Sequence, residues 1–162
     1  MANKIALVSL IIVLTLVNWS IYKKEQHLKE GEVVYLELAP VDPRSLMQGD
    51  YMALRFKVAN EIREKLPKKN TILEPQEGDV IVSLAENRVA TYKALYKGQD
   101  LAVNELRIHY RVRNRQVKFA TNAFFFKEGE GKRYEAARYG EFRVDNGEVL
   151  LINLYDKELK RL

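Results

Sequence analysis

Within the stretch VDPRSLMQGDYMAL, Val41 to Leu54, the residues Asp42, Arg44, Asp50 and Tyr51 bring two carboxylates, a guanidinium and a phenol close together. Arg44 opposite Asp42 or Asp50 would brace a loop through charge-assisted hydrogen bonds, internally or around a bound partner. Pro43 and Gly49 supply the turns such a loop needs, since proline pushes Asp42 to extended geometry. A second charged and aromatic segment runs from Phe124 to Asp145, FFFKEGEGKRYEAARYGEFRVD, with Glu128, Arg138, Tyr139, Glu141 and Arg143 as its chemistry-bearing residues. Period-2 alternation there puts Glu141 and Arg143 on one side of a strand and Phe142 and Val144 on the other. In the third, RIHYRVR, Arg107, His109, Arg111 and Arg113 share one strand face. That basic face suits either water or an anionic partner such as lipid headgroups.

Other chemistries are poorly supplied. The chain has 162 residues, no cysteine and only two histidines, so thiolate sites and disulfides are excluded and neither a metal nor a cofactor is expected. Outside the apolar N-terminal run, Ser45 and Ser83 are the serines, and a Ser-Lys dyad would have to draw on a lysine such as Lys57 or Lys93. A carboxylate site built from Asp50, Glu128 or Glu141 would need at least one pKa raised by burial or by a like charge. The net charge of +5 is spread along the chain and does not single out nucleic acid, which is not expected as a partner.

The elements that must position these residues read as short strands: 32–38, 50–58, 79–86, 89–96, 105–113, 117–126, 140–145 and 148–155. The links between them are short. DNG at 145–147 is a strong hairpin signal because Asn and Gly tolerate positive φ. Consecutive strands are therefore expected to be antiparallel, with short helices at 60–70 and 131–140. The fold class is mainly β with minor α (α+β): an antiparallel β-sandwich or barrel-like domain over 32–162.

Ahead of that domain, Ile5 to Tyr22 carries 18 residues without a charge. As a helix this is about 27 Å, close to the hydrocarbon thickness of a bilayer. Lys4, Lys23 and Lys24 flank the run, and Trp19 with Tyr22 lies where an interfacial aromatic belt belongs. No small-x-small cleavage pattern follows it. The expectation is an uncleaved transmembrane anchor at 1–24, a charged stalk at 25–31, and an extracytoplasmic globular domain on a single-pass protein whose anchor contacts membrane lipid.

APVDPRSLMQGDYMALRF, followed by FKEGEGKRYEAARYGEFRVDNGEVLLINL, resembles the GDYXXLXY protein family, which is named for a motif and not for an activity. The motif residues are Gly49, Asp50, Tyr51 and Leu54, with Phe56 in place of the final tyrosine. The resemblance implies a membrane-associated protein working beside an integral membrane partner. DPRSLMQGD is also similar to the Pro-to-GD part of the type I signal peptidase pattern, but Val41 stands near where that family has its serine. The functional expectation is thus a membrane-anchored, non-enzymatic accessory or interaction domain; the alternatives are a membrane-proximal hydrolase and a small-ligand-binding module. Asp42, Arg44, Asp50, Tyr51, Glu128, Arg138, Tyr139, Glu141 and Arg143 are expected to form one interaction site or structural junction.

Overall fold

A computed structural model describes residues 2–39, 47–48, 51–67 and 73–162. The chain divides into two units, Met1–Gly31 and Glu32–Leu162. The first is one continuous helix, α1 (Ala2–Glu30), so the charged segment after the apolar run prolongs the helix. The side chains of Ile5, Leu10, Leu16 and Trp19 are all exposed within it, giving a helix that is apolar on every side.

The second unit is mostly β, and its described strands form two sheets. The larger takes β1 (Glu32–Glu37), β4 (Glu77–Leu84), β5 (Val89–Leu95), β6 (Glu105–Arg113), β7 (Gln116–Lys118), β9 (Tyr139–Asp145) and β10 (Glu148–Tyr155) in the order β10-β9-β1-β5-β4-β6-β7. The smaller takes β2 (Met47–Gln48), β3 (Tyr51–Ala53) and β8 (Ala123–Phe125) in the order β2-β3-β8. The described strand pairs are antiparallel except β1 with β5, which run parallel in register Tyr35↔Val89. That pairing is non-local: β1 enters the sheet between β9 and β5 and joins the two halves of the unit.

The large sheet curls. β7 pairs with β6 only over Arg111–Arg113, and the β9–β10 turn meets that edge further along, where the His109 amide donates to the Gly147 carbonyl at 2.8 Å. Gly147 holds the turn at φ +89°, a conformation that favours glycine. The DNG signal in the sequence thus marks a hairpin whose tip covers part of a strand edge that would otherwise present unpaired backbone groups.

The core lies on one face of this curl. Val34 and Leu36 of β1 share that face with Phe142, Val144 and Leu154, all buried, as their register requires. In β10 the register shifts between Leu151 and Asn153. That bulge lets Leu151 face the core beside Phe142 and still returns Leu154 to it beside Gly140. Helix α2 (Lys57–Lys65) adds Val58, Ala59 and Ile62 to the same core.

Several expected boundaries shift; β4, expected over 79–86, covers Glu77–Leu84. The strand expected over 50–58 is β3 alone, and the helix placed at 60–70 begins at Lys57 directly after a single bridge, Leu38 to Phe56. The run 117–126 divides into β7 and β8, which belong to different sheets, around Ala120 at φ +20°. The helix expected at 131–140 is the single turn α3 (Gly131–Tyr134), which buries Tyr134 against the rings of Phe124 and Phe126.

Candidate functional site

Asp42, Arg44 and Asp50, together with Ser45, lie outside the described residues. Tyr51 pairs with Phe125 across β3 and β8, their rings 5.7 Å apart. Glu128 is exposed in the turn before α3. The exposed Arg138 makes backbone contacts: its amide donates to the Tyr155 carbonyl at 2.7 Å, its carbonyl accepts from Leu38 at 2.8 Å, and its guanidinium reaches the Ala137 carbonyl at 2.7 Å. Tyr139, Glu141 and Arg143 follow one another on the face of β9 turned away from Phe142, as alternation required.

On that outer face the sheet assembles a cluster that sequence reasoning did not find. Glu141 sits in one row with Tyr35 of β1 and Asn153 of β10. Tyr155, two residues further along β10 on the same face, turns its ring edge-on to Tyr35 at 5.1 Å. Glu141 is 8 % and Asn153 6 % exposed, so a carboxylate and an amide are buried on the side of the sheet away from the core. Burial, together with hydrogen bonding to Glu141 and the charge of that carboxylate, raises the Tyr155 pKa well above the usual tyrosine range. Tyr155 is thereby held as a hydrogen-bond donor, not a base. Asn153, a polar residue inside the apolar run LLINLY, was the sequence signal for this cluster; the bulge that sets its face was not readable.

The basic strand face is matched with acids. His109 Nδ1 lies 2.9 Å from Asp79 Oδ1, Arg107 Nε 3.8 Å from Asp79 Oδ2, and Arg113 2.7 Å from Glu77. These cross-strand pairs between β4 and β6 are the amphipathic sheet's water-facing ladder. The Ser83 hydroxyl accepts from the Asn104 amide at 3.2 Å, and its backbone carbonyl from Thr91. Among the described residues no group of three His, Asp or Glu side chains is placed to hold a metal.

Beside α2 the globular unit has a small polar cavity of about 70 Å³, walled by Arg55, Asn60 and Arg63 on one side and by Gln116, Val117 and Asn122 on the other. Asn122 is fixed twice to Leu54: its carbonyl accepts from the Leu54 amide at 2.7 Å, and its Nδ2 donates to the Leu54 carbonyl at 3.1 Å. The second bond sets the amide's orientation and leaves Oδ1 buried with no partner among the described residues. Among the described residues neither Arg55 nor Arg63 forms an ion pair.

Phe56 and Gly140, one from each sequence segment, lie together in the core. Phe56, at the last motif position, is fully buried with its ring 5.3 Å from Phe142 and 6.1 Å from Phe119, both edge-on. A Cβ on Gly140 would stand 3.2 Å from Phe56 Cε1, so glycine is what lets the ring lie against β9.

Compared with known proteins, the chain is matched over residues 13–154 by the family model described as "GDYXXLXY protein". No curated protein and no solved structure matches it.

Proposed function

This chain belongs to the GDYXXLXY family, and from that premise we propose that it is a single-pass membrane-anchored interaction domain, not an enzyme, whose globular unit lies outside the cytoplasm and works beside an integral membrane protein. The observation that carries this reading is α1, long and apolar enough over Lys4–Glu30 to cross a membrane and without protein cover on its apolar window. In water, that much exposed apolar surface would aggregate; in lipid, a helix with every backbone group bonded internally is a stable state. The reading as a non-enzyme draws its support from the outer-face groups, which engage one another: the carboxylates of Glu77 and Asp79 are taken up by cations, and His109 is turned to Asp79.

The test is to express the full chain, extract the membranes at alkaline pH and weigh the purified protein by mass spectrometry. An anchor keeps the protein in the membrane fraction at full-length mass. Release into the soluble fraction at a mass lacking the N-terminal helix refutes the anchor and makes the segment a signal sequence. Protease added to intact spheroplasts reports orientation, and protection of the globular unit there would overturn its extracytoplasmic placement. Crosslinking in native membranes followed by mass spectrometry tests the partner; recovery of this chain alone counts against it.

A further inference from the structure

We propose that two copies of this chain associate in the bilayer through one side of α1, with their Asn18 side chains hydrogen-bonded to each other. This rests on the reading of α1 as a membrane anchor and goes beyond it in naming the partner, a second copy. The side in question carries a groove lined by Ile11, Leu14, Thr15, Asn18, Trp19 and Tyr22. Ile11, Thr15, Asn18 and Tyr22 follow one another at intervals of four, three and four residues, the spacing of a seam between two paired helices.

Hydrogen bonding sets Asn18 apart from the other polar groups on this seam. The Thr15 hydroxyl donates to the Ile11 carbonyl at 2.8 Å, and Gln26 donates to the Tyr22 hydroxyl at 2.8 Å, so both are met within the helix. Asn18 Nδ2 donates to the Leu14 carbonyl at 2.8 Å, which uses one of its two N–H groups. The second N–H and Oδ1 have no partner among the described residues. The same bond draws the amide back toward Leu14, into the apolar run and away from Tyr22, which lies about 6 Å further along at 1.5 Å per residue. The amide is thereby turned from the nearer interface, where water would serve it. In hydrocarbon a half-bonded amide is unfavourable, and another helix is what can complete it.

The chemistry of the amide selects the occupant. An asparagine side chain is donor and acceptor at once, so two of them related by a two-fold axis satisfy each other, N–H to Oδ1 in both directions. Copies anchored in the same orientation carry Asn18 at the same depth, so the pair is in register without any shift along the helix. Ile11, Leu14 and Thr15 on the seam are uncharged, and packing like against like there meets no repulsion. The opposite side holds Ser9, Val13, Leu16 and Ser20, whose two hydroxyls can each bond a carbonyl one turn back in their own helix and so demand no partner.

The chain has no cysteine, so single cysteines report proximity without background. Ile11→Cys and Tyr22→Cys on the seam, and Ser9→Cys and Leu16→Cys on the opposite side, are introduced one at a time into the full chain. Native membranes are oxidised with copper phenanthroline and the disulfide-linked dimer is read on non-reducing gels. The two seam positions are expected to give dimer well in excess of the two opposite ones. In sedimentation equilibrium of the purified full chain in micelles, Asn18→Leu should weaken association about tenfold, since a hydrogen bond between helices in lipid is worth about that factor. Asn18→Gln, which keeps the amide, should recover most of it, whereas a seam held by apolar packing alone would keep or gain strength with leucine. Retention of the same samples in the membrane at alkaline pH separates the two readings: release of the chain overturns both. Retention without a seam-specific dimer overturns this one alone and leaves the groove to the helix of a different membrane protein. Crosslinking strongest at Ser9→Cys or Leu16→Cys, or association unmoved by Asn18→Leu, would overturn it as well.

Discussion

Replacing Gly140 by alanine is the most informative perturbation of the junction between the two motifs. The added methyl would stand 3.2 Å from each of three carbons: Leu151 Cδ1, Phe142 Cε2 and Phe56 Cε1. Carbon atoms are at their best separation at about 3.5–4.0 Å, so all three neighbours must retreat by a few tenths of an ångström at once. Phe56 and Phe142 are fully buried and in edge-on contact, so neither ring can move without disturbing the other. Overpacking of this kind costs about 1–3 kcal/mol, and the loss of glycine's freedom in the unfolded chain returns about 0.4–1 kcal/mol. The expected net loss is about 1–2 kcal/mol, read as a lower urea midpoint for the full chain in micelles by near-ultraviolet circular dichroism. Leu151→Val removes the Cδ1 atom that the new methyl meets. In the double variant the two costs should sum to less than their separate values by about 0.5–1 kcal/mol, the signature of groups in contact. A Gly140→Ala protein as stable as the parent, or costs additive within about 0.3 kcal/mol, would refute the crowding argument.

Two further outcomes are expected. Gly78→Ala would bring a methyl to 2.8 Å from the hydroxyl of the buried Tyr110, so it should destabilise, and Tyr110→Phe in the same chain should recover part of the loss by removing that hydroxyl; equal stability of Gly78→Ala with and without it would count against the contact. Stability should also fall at both ends of the pH range. The Tyr155 pKa is raised, so its contribution is complete below the ordinary tyrosine value of about 10 and is lost as the pH climbs from there through the folded value. Burial does the same for Tyr110 and Tyr92. Glu105 is held below the usual carboxylate range by its hydrogen bond from Lys93 and by the Ala102 amide, so its contribution is present above the ordinary value and is lost as the pH falls through the folded one. Phenolate absorbance at 295 nm and fluorescence-monitored unfolding check the two limits; tyrosines that all titrate near pH 10 in the folded protein would contradict the first.

What the sequence revealed of this fold follows from which forces act locally. β6 falls on 105–113 as expected because the alternation of charged and apolar side chains from Leu106 to Arg113 admits one register with a dry face. The β9–β10 hairpin was legible for the same reason, with the Asn146-Gly147 turn added. The parallel contact of β1 with β5 was not, since the residues that pair there are more than fifty positions apart and neither strand records the direction of its neighbour. The start of α2 was missed because DYMALRFKV alternates like a strand: Met52, Leu54 and Phe56 are indeed all buried, yet the chain turns into a helix straight after Phe56. At the outer-face cluster, alternation put Glu141 on the right face, but it could not show that Tyr35, Asn153 and Tyr155 from two other strands would close over it. The Asn122 pocket left no sequence signal, because an unpartnered acceptor is defined by what surrounds it.

The signature stretch raised the question of whether its residues form a site or a structural joint, and Phe56 answers for its own position. A tyrosine is the family's residue there, and its loss puts any role for a phenolic proton in doubt. The ring lies edge-on to Phe119 and Phe142 and against Gly140. The last element of one motif and the glycine of the other therefore act together as packing. That packing fixes where Arg55 and α2 stand relative to the sheet, since Arg55 is adjacent to Phe56 and its carbonyl accepts the Ala39 amide at 2.7 Å. Phe56 also lines the cavity beside α2, so the joint between the two segments forms part of that cavity's wall.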